Sequence, residues 1–148
     1  MEARFNTNLV GCLYKEVLHE AAERGFSYSF VLRDDYPYQP EVHELIQACS
    51  TPSSRLSRVS EWPSTKLHRG GATLFKDDLH AIVLPTLISV GSLFSWTGPQ
   101  CPEDLAIYKD ELTVLSASAH ERLGIIRPDA FSAFLERRLQ VWLSETSR

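Results

Sequence analysis

Two stretches in the second half of the chain have the pattern of β-hairpins, and they constrain the fold more than any other feature of the sequence. In each, two apolar runs flank a short turn made of one lysine and two acids, at residues 76–78 and at residues 109–111. Such short turns join antiparallel strands, because a parallel pair needs a crossover of about a dozen residues or more. The predicted strands are 72–75 with 79–84, and 105–108 with 112–115.

A further strand is predicted nearer the N-terminus. In residues 26–33, every second side chain is aromatic or leucine, and the residues between them are two serines, a valine and an arginine. This period of two is typical of a strand with one buried face. The pattern also allows the second hairpin to extend through residues 116–120 and predicts one more short strand at residues 123–126. The buried face of the first strand is predicted to carry Phe26, Tyr28, Phe30 and Leu32.

Three helices are predicted from apolar residues at helical spacing. The first buries a stripe from Leu9 to Ala21, with Asn6 or Thr7 as its N-cap and Gly25 as its left-handed end. The second is predicted to start at Pro40, and the third near Pro128 or Asp129 with Phe131, Phe134, Leu135, Leu139 and Trp142 on its apolar face.

The remaining segments carry weaker patterns. Residues 50–71 are rich in serine, proline and glycine and are predicted to be irregular, with a helical turn at residues 56–59. Residues 85–96 favour a short buried helix, with a strand as the alternative. Clustered antiparallel strands and separate helices indicate the α+β class. We therefore expect a single globular domain over residues 1–148, with a mainly antiparallel sheet of about five strands flanked by N-terminal, middle and C-terminal helices.

Charge and hydropathy narrow the classes of partner. The formal net charge is −4, which argues against nucleic acid, because nonspecific binding depends on Lys and Arg neutralising phosphates. It argues equally against an anionic membrane surface. The N-terminus lacks the basic start and apolar run of a signal peptide, and polar residues interrupt the apolar stretch 81–96. We expect a cytoplasmic protein that binds neither nucleic acid nor membrane and has no cofactor.

No motif for phosphate binding, metal binding or nucleophilic catalysis is complete in the sequence. The glycine pair at residues 70–71 lacks the glycine spacing of a phosphate-binding loop. The five histidines show neither HxH nor HExxH spacing. Ser116, Ser118 and His120 alternate along one predicted strand, so they are expected to share a face, either as a Ser/His site or as a polar strand surface. We predict no metal site and no catalytic residue, with a small Ser/His hydrolase as an alternative.

The cysteines do not form a framework of disulfides. There are three of them, and no pair has CxxC spacing. Cys12 and Cys49 fall on apolar helix faces and are expected to be buried thiols. Cys101 follows a glycine, proline and glutamine in a predicted loop, and it is the one candidate for a reactive thiol.

Acidic side chains recur in the predicted turns, and a pair of tyrosines accompanies one of them. Solvated turn carboxylates suit the display of negative charge better than acid–base catalysis, which needs two carboxyls in contrasting environments. Tyrosines in a proline-containing loop are typical of interface contacts, and acids three apart on a helix can share a face. The candidate partner-binding residues are Asp34, Asp35, Tyr36, Tyr38, Glu41, Glu44, Asp77, Asp78, Asp110 and Glu111.

One stretch carries a resemblance to a known class of protein. Residues 102–108, PEDLAIY, lead into a hairpin that ends at residues 118–121. In an acidic chain without a catalytic motif, this stretch resembles small bacterial immunity proteins of polymorphic or secreted toxin systems. The resemblance implies a protein that binds a cognate toxin and blocks its active site, and it supplies no catalytic residue. A ligand-binding regulatory domain, with Phe26, Tyr28 and Phe30 lining a pocket, is a further alternative.

Overall fold

A seven-stranded sheet, antiparallel at every pairing, organises the chain. The computed structural model describes residues 1–146. The strands are β1 (Ala3–Phe5), β2 (Ser27–Arg33), β3 (Arg55–Val59), β4 (Glu61–Trp62), β5 (Thr65–Lys66), β6 (Ala72–Asp78), β7 (Glu103–Lys109), β8 (Leu112–Ser118) and β9 (Leu123–Ile126). The helices are α1 (Gly11–Glu23), α2 (Pro40–Cys49), α3 (Leu84–Ser89) and α4 (Ala133–Thr146), with 3₁₀ turns at Leu93–Ser95 and Pro128–Ala130.

Strand β2 lies in the middle of the large sheet, whose order is β1-β9-β8-β7-β2-β6-β3. It pairs with β6 on one side and with β7 on the other. The N-terminal strand β1 lies at one edge beside β9, close to the end of the chain. Strands β4 and β5 form a separate two-stranded hairpin. The predicted α+β class with a mainly antiparallel sheet is confirmed.

The sheet has two different faces, because successive side chains of a strand point to opposite sides. On the first, which we call the helical face, Tyr28 and Phe30 of β2 enter the main core together with side chains from all four helices. The opposite side, here the open face, is covered where the β4–β5 hairpin packs Trp62 against Val31 and Ala72. The helices therefore cover one side of the sheet, and a small hairpin covers part of the other.

The two ends of the sheet gather different loops. At the first, the Ser27 end, β2 begins at Ser27, which pairs with Asp78 at the end of β6 and with Tyr108 near the end of β7. The second is the Arg33 end, where β2 ends and β7 begins. The β8–β9 turn at residues 119–122 lies at this end as well. Strand β2 has seven residues, so the ends are about 20 Å apart at roughly 3.3 Å per residue.

The aromatic face predicted for β2 is buried. Phe26, Tyr28 and Phe30 are at most 3% exposed. The ring of Phe30 stacks on Phe75 at a centroid distance of 4.6 Å and on Trp96 at 5.7 Å. These side chains fill the core with aromatic contacts on several sides, so they belong to the packing of the fold.

The strand predicted at residues 79–84 is wrong. Strand β6 continues to Asp78, because β2 supplies a pairing partner for each of its residues down to Ser27. Residues 79–83 then turn, and α3 begins at Leu84. Leu79 and Val83 anchor the turn in the core at 2% and 0% exposed, whereas Ile82 between them is 79% exposed. An apolar run alone does not distinguish a buried strand from a buried turn or helix.

The two edge strands of the sheet are absent from the sequence-based prediction. The helical turn expected at residues 56–59 is wrong, since β3 occupies Arg55–Val59, and because most of its side chains are exposed no alternation marks it. Strand β1 has only three residues. After it, α1 starts at Gly11, so the expectation that Asn6 or Thr7 caps that helix is also wrong.

The later helices agree with the prediction in place but differ in detail. The short buried helix expected within residues 85–96 is confirmed as α3, which is followed by a 3₁₀ turn. Helix α4 starts at Ala133, later than expected, because Pro128–Ala130 forms its own 3₁₀ turn. Phe134 is 66% exposed and does not belong to the buried face of α4. Among residues 1–146, no helix combines the length and the hydropathy that crossing a bilayer requires.

Gly25 ends α1 in the left-handed conformation that its position predicts, with φ of 72°. The N–H of Gly25 donates to the carbonyl of Ala22, and the N–H of Phe26 donates to the carbonyl of Ala21. This pair of hydrogen bonds is the Schellman arrangement, which satisfies carbonyls that the helix leaves open. The reversal it creates leads directly into β2.

Replacing Gly25 with alanine is expected to lower the free energy of unfolding by about 1–2 kcal/mol, because an L residue is strained in the left-handed region. No atom lies within 4 Å of the added Cβ, so the strain comes from the backbone alone. Urea denaturation measures the effect. Gly25→Asn is the matched control and should recover part of the loss, since Asn tolerates this conformation. Equal losses for Ala and Asn would contradict the explanation.

Candidate functional site

The predicted partner-binding residues are divided among three places. The loop at residues 34–38 follows β2 at the Arg33 end, whereas residues 77–78 and the turn at 110–111 lie at the Ser27 end. Glu41 and Glu44 are exposed on α2. Because the two ends of the sheet are about 20 Å apart, these residues do not form one continuous surface.

Arginines neutralise the acidic loop at the Arg33 end. Arg58 donates to both carboxylate oxygens of Asp34, and Arg33 Nε donates to Asp35 Oδ1 at 3.2 Å. The hydrogen-bonded Arg58 guanidinium lowers the pKa of Asp34. Exposed pairs of this kind contribute little stability, but they cancel the local charge. The loop therefore displays less negative charge than its sequence suggests.

The two tyrosines of this loop differ in their surroundings. The Tyr38 hydroxyl accepts a hydrogen bond from the backbone N–H of Arg33 at 3.0 Å and donates to Glu103 Oε1 at 3.3 Å. Tyr36 contacts the Tyr38 ring at a centroid distance of 5.3 Å and remains 38% exposed. Tyr38 thus fixes the loop to β7, and Tyr36 is the ring that solvent reaches.

Three carboxylates at the Ser27 end have no ion-pair partner among residues 1–146: Asp78, Asp110 and Glu111. We call this group the acidic end. Asp78 and Tyr108 both pair with Ser27, so β6 and the β7–β8 turn lie on either side of β2, about 10 Å apart across two strand spacings. Leu112, next to Glu111, is 46% exposed. The acidic end therefore combines free negative charge with an exposed apolar side chain.

Asp77, one residue away, is buried and is not part of that surface. It is 1% exposed, so the prediction that it lies in a solvated turn is wrong. Thr51 and Ser54 donate to its Oδ2 at 2.6 and 2.8 Å, and Ser53 donates to its Oδ1 at 2.6 Å. The N–H of Asp78 donates to the same Oδ1 at 2.7 Å. Asp77 therefore fixes the segment that connects α2 to β3.

Ser53 and His80 lie close to Asp77 without forming an activated nucleophile. Ser53 Oγ is 3.1 Å from His80 Nε2 and 2.6 Å from Asp77 Oδ1. A hydroxyl carries one proton, and the carboxylate accepts it through the shorter contact. A serine activated for attack would donate that proton to the imidazole instead. The three residues form a structural network.

The cluster around Asp77 also contains the residues best placed to bind a metal ion together. Among residues 1–146, atoms of Asp77, Asp78 and His80 lie within 4.8 Å of one another. Asp77 already accepts four hydrogen bonds, which use the roughly four lone-pair sites of a carboxylate. A cation would have to displace these donors. The absence of a metal site stays a prediction.

Asp104 joins three parts of the fold on the open-face side, and the sequence gives no sign of this role. Its Oδ2 accepts from Trp62 Nε1–H at 2.9 Å and from the Thr65 hydroxyl at 3.4 Å, and its Oδ1 accepts from the N–H of Ala119 at 2.9 Å. Burial raises the pKa of Asp104 to about 6, although the Trp62 and Ala119 hydrogen bonds oppose the rise. This carboxylate holds the β4–β5 hairpin and the β8–β9 turn to β7.

The Ser/His site considered from sequence is not formed. Strand β8 extends through residues 116–118 as expected, but it ends at Ser118, and His120 is exposed in the turn that follows. Within residues 1–146, no hydrogen bond joins His120 to Ser116 or Ser118. Both serines instead line a groove on the open face, with a volume of about 740 Å³. We call it the open-face groove.

The cysteines do not offer a reactive thiol in the core. Burial raises the pKa of Cys101 to about 12 and that of Cys49 to about 11. A thiol with such a pKa is protonated at neutral pH, and the protonated form is a weak nucleophile. Cys49 is buried as predicted, but the prediction that Cys12 is buried is wrong, since it lies on the exposed side of α1.

Comparison of the chain with protein-family models, with curated protein sequences and with solved structures finds no match.

Proposed function

We propose that this chain is a binding protein that neutralises a protein partner by covering the partner's active site, in the manner of a bacterial immunity protein. The observation that carries the proposal is the acidic end, where Asp78, Asp110 and Glu111 stay unpaired within residues 1–146 beside the exposed Leu112. Free carboxylates beside an apolar contact match the polar rim that surrounds the apolar centre of a protein interface.

The charge of the acidic end indicates the kind of partner. Three carboxylates at one end of the sheet, none of them in an ion pair within residues 1–146 although Lys109 precedes Asp110, attract a basic surface. Complementary charge accelerates association and excludes wrong partners. A basic active-site groove that normally receives phosphate or nucleic acid is such a surface. The sheet supports the acidic end, since residues 78 and 110–111 adjoin β6, β7 and β8. Binding would therefore need little rearrangement of the backbone.

Affinity capture from the native host, followed by mass spectrometry, tests the proposal. We expect one stoichiometric protein partner that is toxic when expressed alone and harmless when expressed with this chain. The complex should persist as a 1:1 species in size-exclusion chromatography with light scattering. Recovery of no stoichiometric partner, or of a partner whose toxicity is unchanged by coexpression, would refute the proposal.

The triple substitution Asp78→Lys, Asp110→Lys and Glu111→Lys is expected to weaken partner binding by about 100-fold, because it reverses the charge of the surface that attracts the partner. Isothermal titration calorimetry at two salt concentrations measures the loss and the reduced salt dependence. Glu41→Lys with Glu44→Lys on α2 is the matched control and should change affinity by less than about threefold. A larger loss in the control than in the triple variant would place the interface on α2 instead.

A further inference from the structure

The open-face groove lies over strands β8, β9 and β1, away from the acidic end. Ser116 pairs in register with Ile125, and Ser118 pairs with Leu123, so these four side chains lie in two adjacent rows. Ser64, at the turn of the β4–β5 hairpin, forms one wall and donates to the carbonyl of Ala117 at 2.9 Å. The hairpin that Asp104 holds in place therefore shapes the groove.

Two hydroxyl groups in the floor of the groove have no partner. Ser116 is 3% exposed and Ser118 is 8% exposed. Among residues 1–146, neither hydroxyl makes a hydrogen bond, although both residues line the groove. Both oxygens remain accessible from the groove, so a ligand that offers polar groups at two points can take the place of water on them.

The spacing of these hydroxyls matches an extended peptide. Residues two apart on a strand repeat at about 6.7 Å on one face. An extended peptide lying along β8 presents its own backbone groups at the same interval, so the two hydroxyls can hydrogen-bond to it at successive positions. Leu123, which is 50% exposed, and Ile125 supply apolar contacts beside the hydroxyls.

Opposite charges mark the two ends of the groove. Arg4 pairs in register with Ile125, the partner of Ser116. It therefore lies in the row of Ser116, which is farther from the Arg33 end than the row of Ser118. It is exposed and has no ion-pair partner within residues 1–146. Glu121 lies in the β8–β9 turn at the Arg33 end and also lines the groove. The two charges are roughly 10 Å apart along the strand direction, which is the length of about three extended residues.

We propose that the open-face groove binds a short extended peptide, with its carboxylate at Arg4, its cationic end at Glu121 and its backbone hydrogen-bonded to Ser116 and Ser118. The groove volume of about 740 Å³ suits a ligand of this size. This site is separate from the acidic end, so it does not depend on the proposed inhibitory function.

The test uses the ¹⁵N-labelled protein and a pool of tripeptides with lysine first, an apolar residue second and any residue third, each with a free carboxylate. We expect chemical-shift changes concentrated in amides of residues 4–7, 116–118 and 121–125. The same pool with amidated C-termini should bind at least about tenfold more weakly, because the charge-assisted contact with Arg4 is lost. Absence of shifts in these segments with the acid pool overturns the proposal.

Variants separate the roles within the groove. Arg4→Gln should weaken binding of the acid pool by about tenfold and leave binding of the amidated pool unchanged. Ser116→Ala with Ser118→Ala should weaken binding of both pools. Arg137→Gln, at an exposed arginine of α4 outside the groove, is the control and should change neither. Preserved dispersion of the amide spectrum shows that each variant is folded. Equal binding by Arg4→Gln and the unmodified protein would also overturn the proposal.

Discussion

Replacing Asp104 with alanine is expected to lower the free energy of unfolding by about 3 kcal/mol, because buried donors left without an acceptor cost about 1–3 kcal/mol each. The substitution leaves Trp62 Nε1–H and the N–H of Ala119 unpaired, and both of these hydrogen bonds are buried. Urea denaturation at pH 5 measures the loss. Glu111→Ala, at an exposed acid of the β7–β8 turn, is the control and should change the free energy by less than about 0.5 kcal/mol.

The same carboxylate determines how stability depends on pH near neutrality. Burial raises the pKa of folded Asp104 to about 6, above its ordinary value of 3.8. The folded state therefore holds the proton more tightly than the unfolded state does. The resulting stability is fully present below about pH 4 and is lost as the pH rises through about 6. Asp104→Asn, which stays neutral, should flatten this dependence, and an unchanged slope between pH 4 and 7 would contradict the assignment.

Replacing Asp77 with alanine is expected to cost about 3 kcal/mol, since four donors lose their common acceptor. The loss should concentrate in residues 51–54 and β3, because Asp77 connects that segment to β6. Hydrogen exchange should show faster exchange in those amides than in β7 or β8. Asp78→Ala, at the exposed neighbour, is the control. Uniformly faster exchange across the sheet would argue against a local role.

Asp77 affects how the stability of the protein changes at acidic pH. Burial alone would raise the pKa of Asp77, but hydrogen bonds from Ser53, Thr51 and Ser54 outweigh it and hold the pKa below its ordinary value. The stability that Asp77 contributes is therefore present above about pH 4 and is lost as the pH falls through the lowered pKa. In the Asp77→Ala variant, this acid-side loss should be smaller.

The sequence was sufficient to predict the elements whose side-chain period matches their burial. Strand β2 alternates because one face meets the aromatic core, and the hairpin of β7 and β8 follows from its short charged turn. Strand β3 could not be predicted in this way, because an edge strand exposed on both faces has no period to detect. The turn at residues 79–83 was predicted as a strand because its residues are mostly apolar, although only Leu79 and Val83 of them are buried.

The candidate site was predicted less well, because the environment of a carboxylate depends on tertiary structure. Asp77, Asp78 and Asp104 all belong to acidic pairs in the sequence, yet Asp77 and Asp104 are buried and Asp78 is exposed. The donors to the buried pair come from residues more than twenty positions away in most cases, such as Trp62, which is 42 residues from Asp104. Local pattern carries no information about such contacts. The local pattern did predict that Asp110 and Glu111 lie in a solvent-exposed turn, because they connect the two strands of a hairpin.

The pairing of β1 with β9 has a consequence for how the chain acquires its structure. Residues 3–5 find their partners only at residues 124–126, so β1 cannot pair until β9 has been synthesised. Contacts between positions so distant in sequence slow folding, because the entropy of closing the intervening chain opposes them until many other contacts have formed. Until then the outer edge of β9 is unpaired and open to association with other chains. Completion of the sheet is therefore expected to be a late step, in which β1 joins β9.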